Sequence, residues 1–210
     1  MKTIALFICL VLGAMVSMAQ TEAVTSSGDK VLLYDDGTWA YASDIEIEST
    51  EIKTNKTEFF VPDGSSFQVK SNVVDVGVFL NPKKWGFEKA TSNGSAEYEF
   101  ELKGKDAYGM LITERIEIPL ENLKGIALEN ARNVAPDVRV VKEEYRMVNG
   151  KKVFFMQMNG TTQGIKFTYL GYYYAYSEGT IQFVTYTSQS LLEEYRPDME
   201  ELLNGFVIQD

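Results

Sequence analysis

The sequence predicts an α+β domain: an antiparallel sheet covered by helices, preceded by a small β-hairpin. Three observations carry this reading. Alternating apolar and polar residues dominate from residue 67 onward. Only the segments around 119–135 and 192–206 change to a three- and four-residue period. Asn149-Gly150 joins two alternating runs directly, the chemistry of a two-residue hairpin turn. Strands in series with few helices between them pair antiparallel, and the helices then cover the sheet.

The amino-terminal elements come first. Residues 1–20 hold one lysine, an apolar run from Ile4 to Val16, and the small residues Ser17 and Ala19. That pattern reads as a secretory signal peptide over 1–19, cleaved before Gln20. The run is short for a membrane anchor and lacks a charged stop beyond it. The only cysteine, Cys9, sits inside the run and leaves with it. Residues 20–30 are small and polar and read as a flexible lead-in. Val31–Tyr41 places two β-prone runs around Asp35-Asp36-Gly37, a tight turn. A two-stranded hairpin is marginal alone, so Trp39, Tyr34 and Tyr41 need something to pack on. Residues 42–66 read as a linker or irregular strand. The expected organisation is therefore signal peptide 1–19, lead-in, hairpin and linker 20–66, and main domain 67–210.

Within the main domain, residues 67–80 read as a strand stopped by Asn81-Pro82. Ala96, Tyr98, Phe100 and Leu102 alternate with Glu97, Glu99, Glu101 and Lys103, a half-buried strand with one solvated face. Residues 107–118 give the next strand. Leu120, Leu123, Ala127, Ala131 and Val134 then mark a helix, opened by Pro119 and closed by Ala135-Pro136. Residues 138–148 and 151–161 form the Asn-Gly hairpin, and residues 165–177 and 180–187 form another around Glu178-Gly179. Leu192, Tyr195, Met199, Leu202, Leu203 and Phe206 mark a last helix. Pro197 predicts a kink or late start in it, and Gly205 a cap at its end.

Composition narrows the chemistry. The chain has no histidine, and its cysteine lies in the predicted signal peptide. That excludes a Ser-His-Asp triad, a Cys-His pair, and the usual zinc and copper ligand sets. Accordingly no catalytic residue, metal site or cofactor is predicted. A net charge of −10 argues against nucleic acid and anionic membrane as partners. No later stretch is long and apolar enough to span a membrane.

Asn81-Pro82 followed by Trp85, the order of elements, and Leu202-Leu203-Asn204-Gly205-Phe206 resemble PsbP-like domains, which share their fold with the Ran-binding Mog proteins. The resemblance covers roughly residues 67–208. It implies an antiparallel sheet flanked by helices, and work by binding: photosystem assembly, small-GTPase binding, chaperoning of secretion effectors. It carries over no set of binding residues. Separately, the Asp-Gly-Thr-Trp segment at 36–39 resembles a short motif that follows the signal peptide in exported bacterial proteins.

Candidate binding residues follow from aromatic clustering. In a strand, Tyr172, Tyr174 and Tyr176 share one face, and Tyr169 and Tyr173 the other. The first set suggests an aromatic platform for a peptide, glycan or apolar ligand, with packing beneath helices as the alternative. Gly171 among them marks a bulge or a close backbone approach. Trp85 either closes a cleft or plugs the core, and Trp39 contributes from the hairpin. Met110, Met147, Met156, Met158 and Met199 offer an adaptable groove or simple core. The abundant carboxylates read as solvated faces, although a glycosidase would need just two of them across a cleft. The expectation is an exported, periplasmic or extracellular, non-catalytic binding or assembly module of the cell envelope. Its partner would be a protein or a small apolar or glycan ligand. The alternatives are a carboxylate-dependent hydrolase of envelope polysaccharide and a structural accessory protein.

Overall fold

The computed structural model describes residues 21–26, 28–34, 37–41, 52–91 and 93–209. The expected signal peptide and Asp35-Asp36 lie outside these residues. The chain divides into two units, Met1–Ala42 and Ser43–Asp210.

The first unit contains β1 (Thr21–Val24), β2 (Lys30–Leu33) and β3 (Trp39–Tyr41), an antiparallel sheet of three strands. The segment expected to be a flexible lead-in thus supplies a strand, with Thr21 opposite Leu33 and Val24 opposite Lys30. The β1–β2 turn is built by Gly28 at φ 89° and by the Thr25 hydroxyl, which accepts the Asp29 N–H at 3.1 Å. Trp39 and Tyr41, two apart and so on one face, meet edge to face at 5.3 Å.

The second unit carries β4 (Thr54–Phe59), β5 (Phe67–Lys70), β6 (Val76–Leu80), β7 (Trp85–Lys89), β8 (Tyr98–Leu102) and β9 (Ala107–Glu114). Helix α1 (Leu120–Val134) follows, then β10 (Arg139–Val148), β11 (Lys151–Thr162), β12 (Ile165–Tyr176) and β13 (Gly179–Ser188). A 3₁₀ turn (Gln189–Leu191) leads into α2 (Leu192–Asn204) and a last short strand, β14 (Phe206–Ile208). Eight strands form the main sheet in the order β4-β10-β11-β12-β13-β9-β8-β7, and β14-β6-β5 form a smaller one. This is α+β, with an antiparallel-rich sheet and two helices.

Several local differences from the sequence reading have physical reasons. Residues 42–66 are more than linker, because β4 pairs in parallel with the edge of β10. Its sequence, TNKTEF, is polar on both faces, as suits an outermost strand. The run 67–80 is two strands, not one. The Ser71 hydroxyl accepts the Val73 and Val74 N–H groups at 3.0 and 3.2 Å and turns the chain back on itself. Glu97 is not part of a solvated face. Its carboxylate accepts from the Ser71 hydroxyl, the Asn72 N–H and the Thr113 hydroxyl at 2.6, 2.6 and 2.9 Å. Burial pushes its pKa up, and those donors outweigh burial and hold it below the usual carboxylate range. Val134, counted in the apolar stripe of α1, is 62% exposed. Helix α2 starts at Leu192 and runs through Pro197. Gly205 caps its end as expected, its N–H on the Leu202 and Leu203 carbonyls, but at φ −71° and so not in the left-handed region. Glycine is needed there for close approach, since an added Cβ would collide with the Phe79 carbonyl oxygen of β6.

The hairpin turns match their chemistry. Asn149 and Gly150 sit at φ 48° and 77° between β10 and β11, the paired positive angles of a type I′ turn. Period-two alternation then gives the main sheet two faces. One packs on α2 and the small sheet through Trp85, Phe155, Tyr172, Phe183, Met199 and Phe206. The other packs on Leu123, Ala127 and Ala131 of α1 through Phe154, Met156 and Tyr173.

A buried cation ties the first face together. Arg146 of β10 is 3% exposed. Its Nε donates to Glu144 at 2.7 Å, its Nη1 to the Tyr172 hydroxyl at 3.4 Å, and its Nη2 lies 3.6 Å from Glu200 of α2. Its guanidinium carbon stands 3.7 Å from the centre of the Phe155 ring. Asn55 of β4 donates to the same Glu144 at 3.1 Å. Burial raises the Glu144 carboxyl, while Asn55, Arg146 and Lys142 hold it below the usual range. Removing one partner of such a pair strands the other charge. Arg146→Ala should therefore cost about 3–5 kcal/mol in urea unfolding, and Arg146→Met, which refills the space, markedly less if Glu144→Gln accompanies it. A carboxyl depressed on folding stabilises above its unfolded value and loses that contribution as pH falls through its folded value. Glu144→Gln should accordingly flatten the acid side of the stability–pH curve.

Candidate functional site: an uncovered tyrosine row

The face that α1 covers only in part carries the site. Strand register places Gly86, Glu101, Tyr108, Tyr186, Tyr169 and Met158 in one line across β7, β8, β9, β13, β12 and β11. The adjacent line on the same face reads Glu88, Glu99, Met110, Val184, Gly171 and Met156. Cross-strand neighbours on one face stand about 5 Å apart, so each line is a continuous strip of side chains.

The rings touch along the first line. Tyr108 and Tyr186 stack at 5.5 Å and 28°. Tyr186 meets Tyr169 edge to face at 5.7 Å, and Tyr169 meets Phe167 at 4.9 Å. All three tyrosines are half-buried. Burial raises the pKa of each phenol above its ordinary value. Asp106 and Glu101 add to this at Tyr108, and Tyr169, Glu99 and Tyr108 at Tyr186. The three therefore stay neutral at physiological pH.

Two hollows flank the row. One, of about 310 Å³, lies between α1 and the sheet, with Met110, Val184 and Tyr169 on its floor and Ala131 and Val134 on its wall. The Asn93 amide, on the loop closing its far side, contacts the Met110 sulfur at 3.5 Å. The second, of about 380 Å³, lies over Gly86 between Glu88, Glu99, Glu101 and the Tyr108–Tyr186 stack. The Tyr173 ring lies flat over Gly171, where a Cβ would come within 2.7 Å of it. The ladder runs through Gly171 without a break, so this glycine serves close approach and not a bulge.

The residues singled out from sequence are not brought together. Tyr172, 1% exposed, is core: its hydroxyl donates to Asn204 at 2.6 Å, and burial pushes its pKa up to about 12. Trp85, also 1% exposed, plugs the core and closes no cleft. Tyr174 and Tyr176 are half-buried on the α2 side, 5.7 Å apart, with Tyr174 packed 6.1 Å from Phe206. Trp39 belongs to the first unit and is 55% exposed there. The row of touching tyrosines lies on the opposite face of β12, where it includes Tyr169. Tyr108, Tyr186 and Gln182 escaped notice because they sit on strands distant in sequence. Among the described residues no three side chains converge as metal ligands.

No family model matches the chain, and no curated protein matches it by sequence. Among solved structures, the cyanobacterial PsbP of Synechocystis sp. PCC 6803 aligns at TM-score 0.52 and 10% identity, over 70% of this chain and 95% of that one. The fold is PsbP-like. A Mog1 protein aligns at TM-score 0.47 and 8% identity, over 69% and 96% of the two chains. The Ran-binding protein Mog1p of Saccharomyces cerevisiae aligns at TM-score 0.35 and 12% identity, over 92% and 97%.

If Tyr172 is a core residue, losing its hydroxyl removes a buried hydrogen bond to Asn204. Tyr172→Phe should lower stability by about 1–2 kcal/mol in equilibrium unfolding. Full stability in this variant would return Tyr172 to the list of surface candidates.

Proposed function

We propose that the protein is an exported, non-catalytic binding or assembly module of the bacterial cell envelope, which holds its ligand on the Tyr169–Tyr186–Tyr108 face. One observation carries the binding part: a row of touching, half-buried tyrosines that α1 leaves uncovered, flanked by two hollows. Tyrosine combines a broad apolar face with a polar tip, which suits a surface that is wet when free and dry when occupied. The methionines beside it, Met110 and Met158, adapt to varied shapes. Export rests on the signal-peptide pattern of residues 1–19 and on the segment around Trp39.

The hydrolase alternative draws little from these hollows. Glu88, Glu99 and Glu101 rise from the neighbouring strands β7 and β8, with Glu88 directly opposite Glu99. They line one side of the space, whereas glycoside hydrolysis needs carboxyls facing each other across the bond.

Aromatic contacts contribute about 0.5–1.5 kcal/mol each, so losing two should weaken binding roughly tenfold. The mature chain from Gln20 would be screened on peptide and glycan arrays, then compared with Tyr108→Ala/Tyr186→Ala. The double variant should lose the retained ligands at unchanged circular dichroism, and equal retention by both proteins would sink the assignment of this face. Cell fractionation with and without residues 1–19 checks export.

A further inference from the structure

We infer that this face binds an extended peptide segment of a protein partner, placing an arginine or lysine side chain in the Glu88–Glu101 hollow and an apolar side chain beneath α1. The inference rests on the binding role just proposed and names the ligand class.

The charge comes from the hollow over Gly86. Glu88 and Glu101 are exposed at its wall and make no ion pair with any described residue. The stacked Tyr108 and Tyr186 offer π faces beside them. Gly86 contributes no side chain to the floor, and a Cβ added there would touch nothing closer than 3.9 Å. Lys103 reaches within 3.9 Å of that Cβ position and donates its ammonium to the Pro82 carbonyl at 2.6 Å, so one cation stands beside three carboxylates and the balance of the hollow stays negative. Carboxylates next to aromatic faces form the natural receptor for a guanidinium or ammonium group. The raised phenols of Tyr108 and Tyr186 report the same negative field, since after burial Asp106 and Glu101 act on the first, and Glu99 is among the groups acting on the second.

The peptide character comes from the groove beneath α1. Gln182, only 8% exposed, lines it with a side-chain amide that bonds to no described residue. The Tyr173 hydroxyl, on a residue 1% exposed in the same lining, is likewise without a bond. Both groups line the hollow and are free to bond to what enters it. A glutamine amide offers one acceptor and two donors, which match the N–H and C=O of a peptide unit and have no use for a hydrocarbon chain. Met110, Val184 and Val134 beside it supply the apolar pocket.

Spacing joins the two ends. Glu101 on β8 and Met158 on β11 are four strand positions apart in one line of the sheet. At about 4.8 Å per strand this is roughly 19 Å, which an extended chain rising about 3.3 Å per residue covers in about six residues. The chain's net charge of −10 would favour encounter with a basic segment.

Fluorescein-labelled peptides test this by anisotropy. Each carries one arginine and one leucine separated by three to five glycine or serine residues. Matched peptides replace arginine by citrulline or leucine by serine, and spermidine serves as a small-cation competitor. The arginine–leucine peptide should bind at least tenfold more tightly than its citrulline twin. That advantage should vanish in Glu88→Gln/Glu101→Gln and shrink with added salt. Gln182→Leu should weaken every peptide, and Val134→Asp the leucine-bearing ones. Glu88, Glu101 and Val134 are exposed, so these variants keep the fold, and thermal unfolding verifies it. Equal binding of arginine and citrulline peptides overturns the inference, and if Tyr108→Ala/Tyr186→Ala abolishes both, the aromatic face itself stands. Spermidine binding as tightly as the peptide reassigns the hollow to a small polyamine. Absence of binding by every peptide also overturns the inference, and the glycan array then decides the aromatic face separately.

Discussion

A charge that cannot reach water organises the second unit. The Arg146 guanidinium is enclosed, so its neighbours must supply both opposite charge and hydrogen-bond acceptors. They come from four elements: Glu144 on its own strand, Tyr172 on β12, Glu200 on α2, and Phe59 of β4, whose ring centre lies 4.9 Å away. Burial works against the charge, and the surrounding oxygens overcome it and hold the guanidinium protonated. Tyr172 extends the set to Asn204 at the end of α2, and Asn149 in the β10–β11 turn donates to the Asn204 and Phe206 carbonyls at 2.9 and 2.7 Å. The edge strand β4, the central hairpin and the terminal helix thus meet at one side chain. Such a cluster is weak as a source of net stability but strong as a specifier, because every competing register leaves a charge unpaired.

That specification reaches the other face of the sheet. Side chains alternate along a strand, so a slip of one residue would exchange the two faces of β12. With Tyr172 held inward by Arg146 and Asn204, Tyr169, Gly171 and Tyr173 must point toward α1. The site is therefore the obverse of the core: the same register that satisfies the guanidinium aligns Tyr169 with Tyr186 and Tyr108. The two helices then cover unequally. Helix α2 and the small sheet close the first face with bulky residues. On the second face the one described helix is α1, set on Phe154, Met156, Met158, Tyr173 and Val184 of three strands. A helix about 10 Å across cannot roof eight strands spanning about 34 Å. The tyrosine row and the hollow over Gly86 lie in the uncovered remainder, and the other hollow lies between the sheet and α1.

How much of this is legible in the sequence depends on whether the signal is local. The Asn149-Gly150 turn, the limits of α1 and the alternation of β8 can be read because period and turn chemistry act within a few residues. β1 and β4 cannot, because polar edge strands acquire their identity from a partner, 89 residues away in the case of Asn55 and Glu144. The division of 67–80 turns on one serine hydroxyl whose bonds look like any other serine in a β-prone run. The site is harder still. Tyr169, Tyr186 and Tyr108 stand in line only once β9 pairs with β13, and that pairing joins strands with α1 and three others between them. A run such as Tyr172-Tyr173-Tyr174 draws attention in sequence for the reason that makes it a poor site: dense aromatic residues on a central strand mark a core.

The absence of histidine takes on a different meaning against this geometry. Groups that change charge between pH 5 and 8 are nearly always histidines, and this chain has none. The phenols of Tyr108, Tyr169 and Tyr186 are shifted further from neutrality, so their O–H groups remain donors across that range. The face combines neutral phenols, thioethers, an amide and carboxylates. Tyrosine and methionine give it area, Gln182 gives it direction, and the acidic wall gives it sign. Those are the requirements of recognition, and the proposed binding face meets them on the strip of sheet that α1 leaves uncovered.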